Sequence, residues 1–160
     1  EMPWEVCEQG LIKHLVNKSL CEELNLPAKS VNVYMQIIPP GGRSGKHRHM
    51  SEEILFVLEG EGYDLHWDVD IEIREDKRYW KIRKEPKRFE WKDGDAIYIP
   101  TNTVHQHFNS SMEKRVRLIS ATSRVYDSLG FGYNDLGQFE SAMPSKEELE
   151  KLLQAYACNL

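Results

Sequence analysis

The stretch GGRSGKHRHMSEEILFVLEGEG, residues 41–62, sets two histidines and several carboxylates beside one of the most apolar runs in the chain. Successive side chains of an extended strand point to opposite faces, so His47 and His49 share one face. Glu53 opens the apolar run EILFVL. An inward carboxylate at that place is costly unless it is paired or bound to a metal. A second pair, His105 and His107 in VHQHFN (104–109), obeys the same alternation. Two imidazoles and a carboxylate from one strand region, joined by an imidazole from a neighbouring strand, make a site for a divalent metal. The competing reading of HRH alone is a basic loop at a strand end, and the second cluster weighs against it.

Turn signals surround this stretch: PPGG at 39–42, GEG at 60–62, KDGD at 92–95 and IPTNT at 99–103. Between them lie VNVYMQII, EILFVLEG, YDLHWDVDIEI, DAIYIP, VHQHFN and RVRLISA, β-branched or aromatic runs that in several places alternate. That spacing predicts many short strands. EILFVLEGEGYDLHW reads as a hairpin with Gly60 and Gly62 in its turn, and a second hairpin is expected over 69–91. Ser145 and Glu148 form a capping box ahead of Leu149, Leu152, Leu153 and Tyr156, which predicts one C-terminal helix over 146–157. LIKHLV and CEELNLP near the N-terminus are ambiguous between strand and helical turn. The class is all-β, a sandwich or a barrel, with a jelly roll among the few ways to close so many antiparallel edges.

The spacing of the chemistry-bearing residues resembles the two signatures of the cupin superfamily, G(X)5HXH(X)3,4E(X)6G and G(X)5PXG(X)2H(X)3N. Gly41, His47, His49, Glu53 and Gly60 fill the first, and Gly94, Pro100, His105 and Asn109 fall in register with the second. The one departure is Asn102, which stands where the pattern has glycine; Asn tolerates the left-handed backbone better than most residues. The resemblance implies a double-stranded β-helix, the jelly-roll cupin barrel, over about residues 31–121, with a metal held by His47, His49, Glu53 and His105. It favours Fe(II), with Mn, Zn or Ni also compatible with the donors, and leaves two positions of an octahedral ion open.

Around those ligands, His107 is expected to serve as acid, base or hydrogen-bond donor to the site, or to be a core histidine bonded to a carbonyl. Tyr63 and Trp67 are expected to face inward, Tyr63 as a further catalytic residue and Trp67 in the pocket wall, which leaves His66 exposed. Tyr98, Phe56 and Arg43 are candidates for the substrate pocket, Arg43 as the cation that would hold a substrate carboxylate.

At 160 residues one domain is expected over 1–160. A net charge of −5, with basic clusters interleaved by acids, argues against a nucleic-acid partner. Cys7, Cys21 and Cys158 form no CxxC, and EMPWEVCEQG has neither the basic nor the apolar region of a signal peptide, so a cytoplasmic protein with reduced thiols is expected, without membrane segments. Small cupins are commonly dimers, and that resemblance implies a homodimer. It points more loosely to gentisate-dioxygenase-like cupins, hence to a mononuclear non-haem iron oxygenase acting on a small organic acid, aromatic acids included. A non-redox isomerase, lyase or decarboxylase acting on a sugar or keto acid, or a metal-containing ligand-binding barrel, are the alternatives.

Overall fold

The computed structural model describes residues 3–25, 30–129 and 136–156. Its strands are β1 (Glu5–Cys7), β2 (Gly10–Val16), β3 (Val31–Ile38), β4 (Lys46–His49), β5 (Glu53–Glu59), β6 (Glu61–Trp67), β7 (Val69–Arg74), β8 (Lys77–Ile82), β9 (Lys87–Lys92), β10 (Ala96–Ile99), β11 (Val104–Asn109), β12 (Val116–Ser123) and β13 (Leu136–Glu140). Three helices, α1 (Lys18–Glu23), α2 (Val125–Ser128) and α3 (Lys146–Tyr156), complete the described elements.

From β3 to β6 the chain alternates between two antiparallel sheets, and it does so again from β9 to β13. One sheet runs β1-β2-β3-β12-β5-β10 and the other β13-β4-β11-β6-β9. This is the cupin barrel, all-β with a C-terminal helix. It reaches beyond 31–121: β1 and β2 extend the first sheet and β13 the second. The ambiguous N-terminal runs resolve as strand β2 and helix α1, the latter capped by the Asn17 side chain on the Leu20 amide. The capping box of α3 forms in both directions, Glu148 amide to Ser145 Oγ and Ser145 amide to Glu148 Oε2. Ala157, the last residue expected in that helix, lies outside the described residues.

Both expected hairpins take a different form. β5 pairs with β10 and β12, whereas β6 pairs with β9 and β11, so Gly60 is where the chain crosses from one sheet to the other. Its φ of +99° meets that need without strain. Gly62 acts through space instead: a Cβ there would lie 2.0 Å from the Phe108 carbonyl oxygen and 2.4 Å from the Trp91 ring. In the second case β7 and β8 alone form the hairpin, and β9 leaves it to pair with β6. Ile71, Ile73 and Trp80 remain exposed on that arm, which has no wholly dry face.

Along the barrel axis the inward side chains change character. Ile38, Leu55, Val57, Trp91, Ile97, Ile99, Val116 and Leu118 pack one apolar cluster. From there β3 leads to Gln36 and Tyr34, β12 to Ser120, β5 to Glu53, and β11 back to His107 and His105, all buried. Burying each of the large aliphatic side chains of the cluster contributes about 1.5–3 kcal/mol. The dry end therefore anchors the strands whose other end carries the polar groups. Cys7 and Cys21 are free thiols, Cys158 lies outside the described residues, and no helix among those described is long and apolar enough to cross a membrane.

Candidate metal centre

His47 and His49 come from β4, Glu53 from the first position of β5 and His105 from β11. His47 and His105 are directly opposite across the β4–β11 ladder, which places their rings 4.1 Å apart between centroids. One ligand atom from each of the four side chains lies within 4.8 Å of all the others, and all four residues are buried.

Backbone carbonyls fix the outer nitrogen of each ring. His47 Nδ1 lies 3.3 Å from Gly45 O, His49 Nδ1 2.6 Å from Ser51 O, and His105 Nδ1 2.9 Å from Thr103 O. A ring donating Nδ1–H leaves Nε2 as the lone-pair nitrogen, the arrangement that metal-ligating imidazoles use. His49 Nε2 and His105 Nε2 lie 2.9 and 3.2 Å from Glu53 Oε2. His105 Nε2 nonetheless makes no well-directed hydrogen bond, although buried. Two atoms each about 2.1 Å from a shared ion and at right angles are about 3.0 Å apart, so this spacing fits neighbouring ligands of one divalent cation.

Charge states agree with the geometry. Burial, reinforced by His105, pushes His47 well below the usual imidazole range, and burial likewise lowers His105. For Glu53 burial opposes ionisation, but the adjacent His105 and His49 side chains outweigh it and hold the carboxyl well below its usual range. Neutral imidazoles and an ionised carboxylate are the states a metal ion requires. Asn102 adopts φ +62°, the left-handed conformation that the glycine of the cupin pattern supplies, and its side-chain oxygen accepts a hydrogen bond from Arg48. Its amide donates to the His49 carbonyl, so the turn is tied to a ligand-bearing strand. Asn109 closes the same signature, its Nδ2 donating to the carbonyls of Ile38, Pro39 and Lys114.

His107 stands beside the cluster, its ring 5.4 Å from that of His105. Nδ1 lies 2.9 Å from Asp64 Oδ1, which also accepts from Trp91 Nε1 at 2.7 Å, while Asp64 Oδ2 lies 3.3 Å from His66 Nε2. His107 Nε2 is buried without a hydrogen-bond partner among the described residues. Burial lowers the affinity of His107 for a proton, but the charge and hydrogen bond of Asp64 outweigh it and raise its pKa.

The remaining expected pocket residues are not brought to the cluster. Gly62, Asp64 and His66 take the inner face of β6, which puts Tyr63 on the outer one, stacked on Phe108 at 4.8 Å and covered by the Arg88 guanidinium at 3.4 Å. His66 is therefore buried rather than exposed. Trp67, though buried, follows the parity of Tyr63, and the Lys46 ammonium lies 3.8 Å over its ring. Phe56 and Tyr98 are 44% and 54% exposed, because Glu53, Leu55 and Val57 occupy the inner face of β5 and Ile97 and Ile99 that of β10. Tyr98 donates its hydroxyl to Glu52. Arg43 is exposed and paired with Glu140 at 2.8 Å, bordering a groove between α3 and the barrel. Sequence reasoning missed Asp64, Ser120 and Tyr34. For Asp64 the local signal is its shared face with His66 in YDLHW, which alternation defines without saying which way that face turns.

Comparison with known proteins gives a family and a fold. The sequence model of the family described as Auxin binding protein matches residues 6–143. Auxin-binding protein T85 of Nicotiana tabacum is 30% identical over 96 residues, 60% of this chain and 47% of the relative, so the match spans about half of that relative's length. Among solved structures, a cupin-like protein of Thermotoga maritima is similar at a TM-score of 0.54 and 22% identity, over 88% of this chain and 82% of the other. Oxalate decarboxylase of Bacillus subtilis, described with Mn(II) centres, is similar at 0.53 and 16% identity, over 76% of this chain and 27% of that one.

Proposed function

Since the chain belongs to the auxin-binding protein family, of the cupin fold, we propose that it is a metal-dependent enzyme acting on a small organic acid. A divalent ion, Fe(II) foremost and otherwise Mn, Zn or Ni, would be held by His47, His49, Glu53 and His105. The observation that carries this reading is the convergence of those four buried ligand atoms within 4.8 Å. When bound, such an ion with open positions supplies Lewis acidity and, for a redox metal, one-electron chemistry with dioxygen.

The protein's own groups do the rest. Three carbonyl-anchored imidazoles and Glu53 fix the polar end, and the apolar cluster behind it excludes water. His107, oriented by Asp64, directs its unpartnered Nε2 into the barrel interior and gives or takes the substrate proton there. The substrate is a small organic acid, and turnover with dioxygen is the reaction first to be tested.

A second reading, a ligand-binding barrel without turnover, is favoured by the relatives' name, which speaks of binding auxin. Elemental analysis, followed by anaerobic Fe(II) or Mn(II) loading and oxygen uptake with a panel of aromatic and aliphatic acids, separates the two. Near-stoichiometric metal with substrate-dependent oxygen consumption is expected, and His107→Ala should retain the metal and lose turnover. Metal and acid binding without any product would replace the enzyme by the binder. Full metal occupancy in both His49→Ala and Glu53→Ala would overturn the site itself.

A further inference from the structure

β3, β12 and β5 lie side by side, with Ser120 opposite Tyr34 on one flank and opposite Leu55 on the other, next to the inward Glu53. Glu53 and Ser120 are fully buried and Tyr34 nearly so. The two carboxylate oxygens of Glu53 have different neighbours. Oε2 faces the Nε2 atoms of His49 and His105. Oε1 accepts a hydrogen bond from Ser120 Oγ, and the Tyr34 side chain, opposite Ser120 across the β3–β12 ladder, lies beside both.

A carboxylate beside a metal ion can ligate through one oxygen or two, and the choice sets how many positions remain. Three imidazoles and one carboxylate oxygen fill four of the six positions of an octahedral ion, and a second oxygen from Glu53 would leave only one. Hydrogen bonds to an ionised oxygen are roughly twice as strong as neutral ones, so donors on Oε1 compete directly with the ion for it. From this we propose that Ser120 and Tyr34 are positioning residues that restrict Glu53 to one-oxygen ligation and so keep two adjacent coordination positions open for an incoming bidentate group. The inference rests on the metal-centre reading given above and adds to it what determines the number of open positions.

The test uses Co(II), whose visible absorption reports coordination number, and acetohydroxamate, a bidentate probe that needs two neighbouring open positions. Co(II) titration of wild type, Ser120→Ala, Tyr34→Phe and Ser120→Thr is followed by titration of each loaded protein with the probe. Ser120→Ala is expected to keep Co(II) affinity within about tenfold, to change the Co(II) spectrum, and to bind the probe at least tenfold more weakly. Tyr34→Phe, which keeps the ring volume, should move in the same direction by less, and Ser120→Thr, which keeps the hydroxyl, should restore wild-type probe binding. Loss of Co(II) affinity with unchanged probe affinity, or spectra and probe affinities equal in all four proteins, would overturn the inference while leaving the metal centre intact. Failure of wild type to bind Co(II) would instead remove the metal-centre reading on which it depends.

Discussion

Replacing Asp64 by Asn tests whether the buried Asp64 network carries the charge that its geometry implies. The carboxylate is fully buried and meets Trp91 Nε1 at 2.7 Å, His107 Nδ1 at 2.9 Å and His66 Nε2 at 3.3 Å. An amide can still accept from Trp91 and His107, so the loss is mainly that of charge in two bonds. Each falls from about 1.5–3 to about 0.5–1.5 kcal/mol, a total cost of about 2 kcal/mol. Asp64→Ala, which leaves both donors unsatisfied, should cost about 3–5 kcal/mol. For a chain of this size those figures correspond to Tm decreases of about 4–8 °C and about 6–20 °C.

The pH profile of the same variant has a definite sign. Asp64 has a depressed folded pKa, so its contribution is present above the unfolded value of about 4 and lost as pH falls below it. His107 has a raised one, so the ionic part of its contribution is present below about 6.5 and lost as pH rises through the folded value. The stability difference between wild type and Asp64→Asn, measured by urea unfolding in the presence of a chelator, should therefore be greatest between about pH 4 and 6.5. A difference below about 0.5 kcal/mol in that window, or one that grows towards pH 9, would refute the ionic reading of the pair.

Three smaller perturbations follow from particular contacts. Gly62→Ala places a Cβ 2.0 Å from the Phe108 carbonyl oxygen and should cost at least about 1–3 kcal/mol by thermal unfolding. Asn102→Ala should lose about 1–2 kcal/mol to left-handed strain in denaturant titration, whereas Asn102→Gly should lose only the Arg48 hydrogen bond. Phe56→Ala and Tyr98→Phe, on the outer surface, should change stability by less than about 1 kcal/mol and leave the metal titration curve unchanged; a shift in either curve would return those rings to the pocket.

How far the site could be read beforehand depended on which physical rule a residue obeyed. His47, His49, Glu53 and His105 follow fixed spacings along strands, and alternation brings such residues to one face whatever the rest of the barrel does. Phe56 and Tyr98 were equally open to that rule, since an inward Glu53 requires an outward Phe56; assigning them to the pocket gave hydrophobicity precedence over parity. β6 is the harder case. Alternation defined its two faces but not which of them turned inward, and the face carrying Tyr63 and Trp67 was the more apolar. The barrel turned it outward because His107, directly opposite Asp64 on β11, supplies the carboxylate with a partner, and Tyr63 finds Phe108 and Arg88 outside. Such cross-strand pairings depend on register between strands more than 40 residues apart, as does that of Ser120 with Glu53. No local pattern encodes them.

Among the described residues two buried carboxylates, Glu53 and Asp64, each stand between two imidazoles, and their surroundings divide the chemistry between them. Around Glu53 the burial of His47 and His105 keeps those rings neutral, and their outer nitrogens are already committed to carbonyls, so the negative charge is left for a cation. Around Asp64 the balance reverses: its charge and hydrogen bond raise His107 despite complete burial, so this pair favours a proton where the first favours a cation. Environments that push like groups apart in this way separate the acid–base group from the electrophile. The two pairs meet at His105 and His107, ring centroids 5.4 Å apart on one strand, which on the proposed reading sets a proton-handling nitrogen beside the metal-held acid. On the reading proposed above, the second pair is what distinguishes an enzyme from a barrel that only stores its ligand.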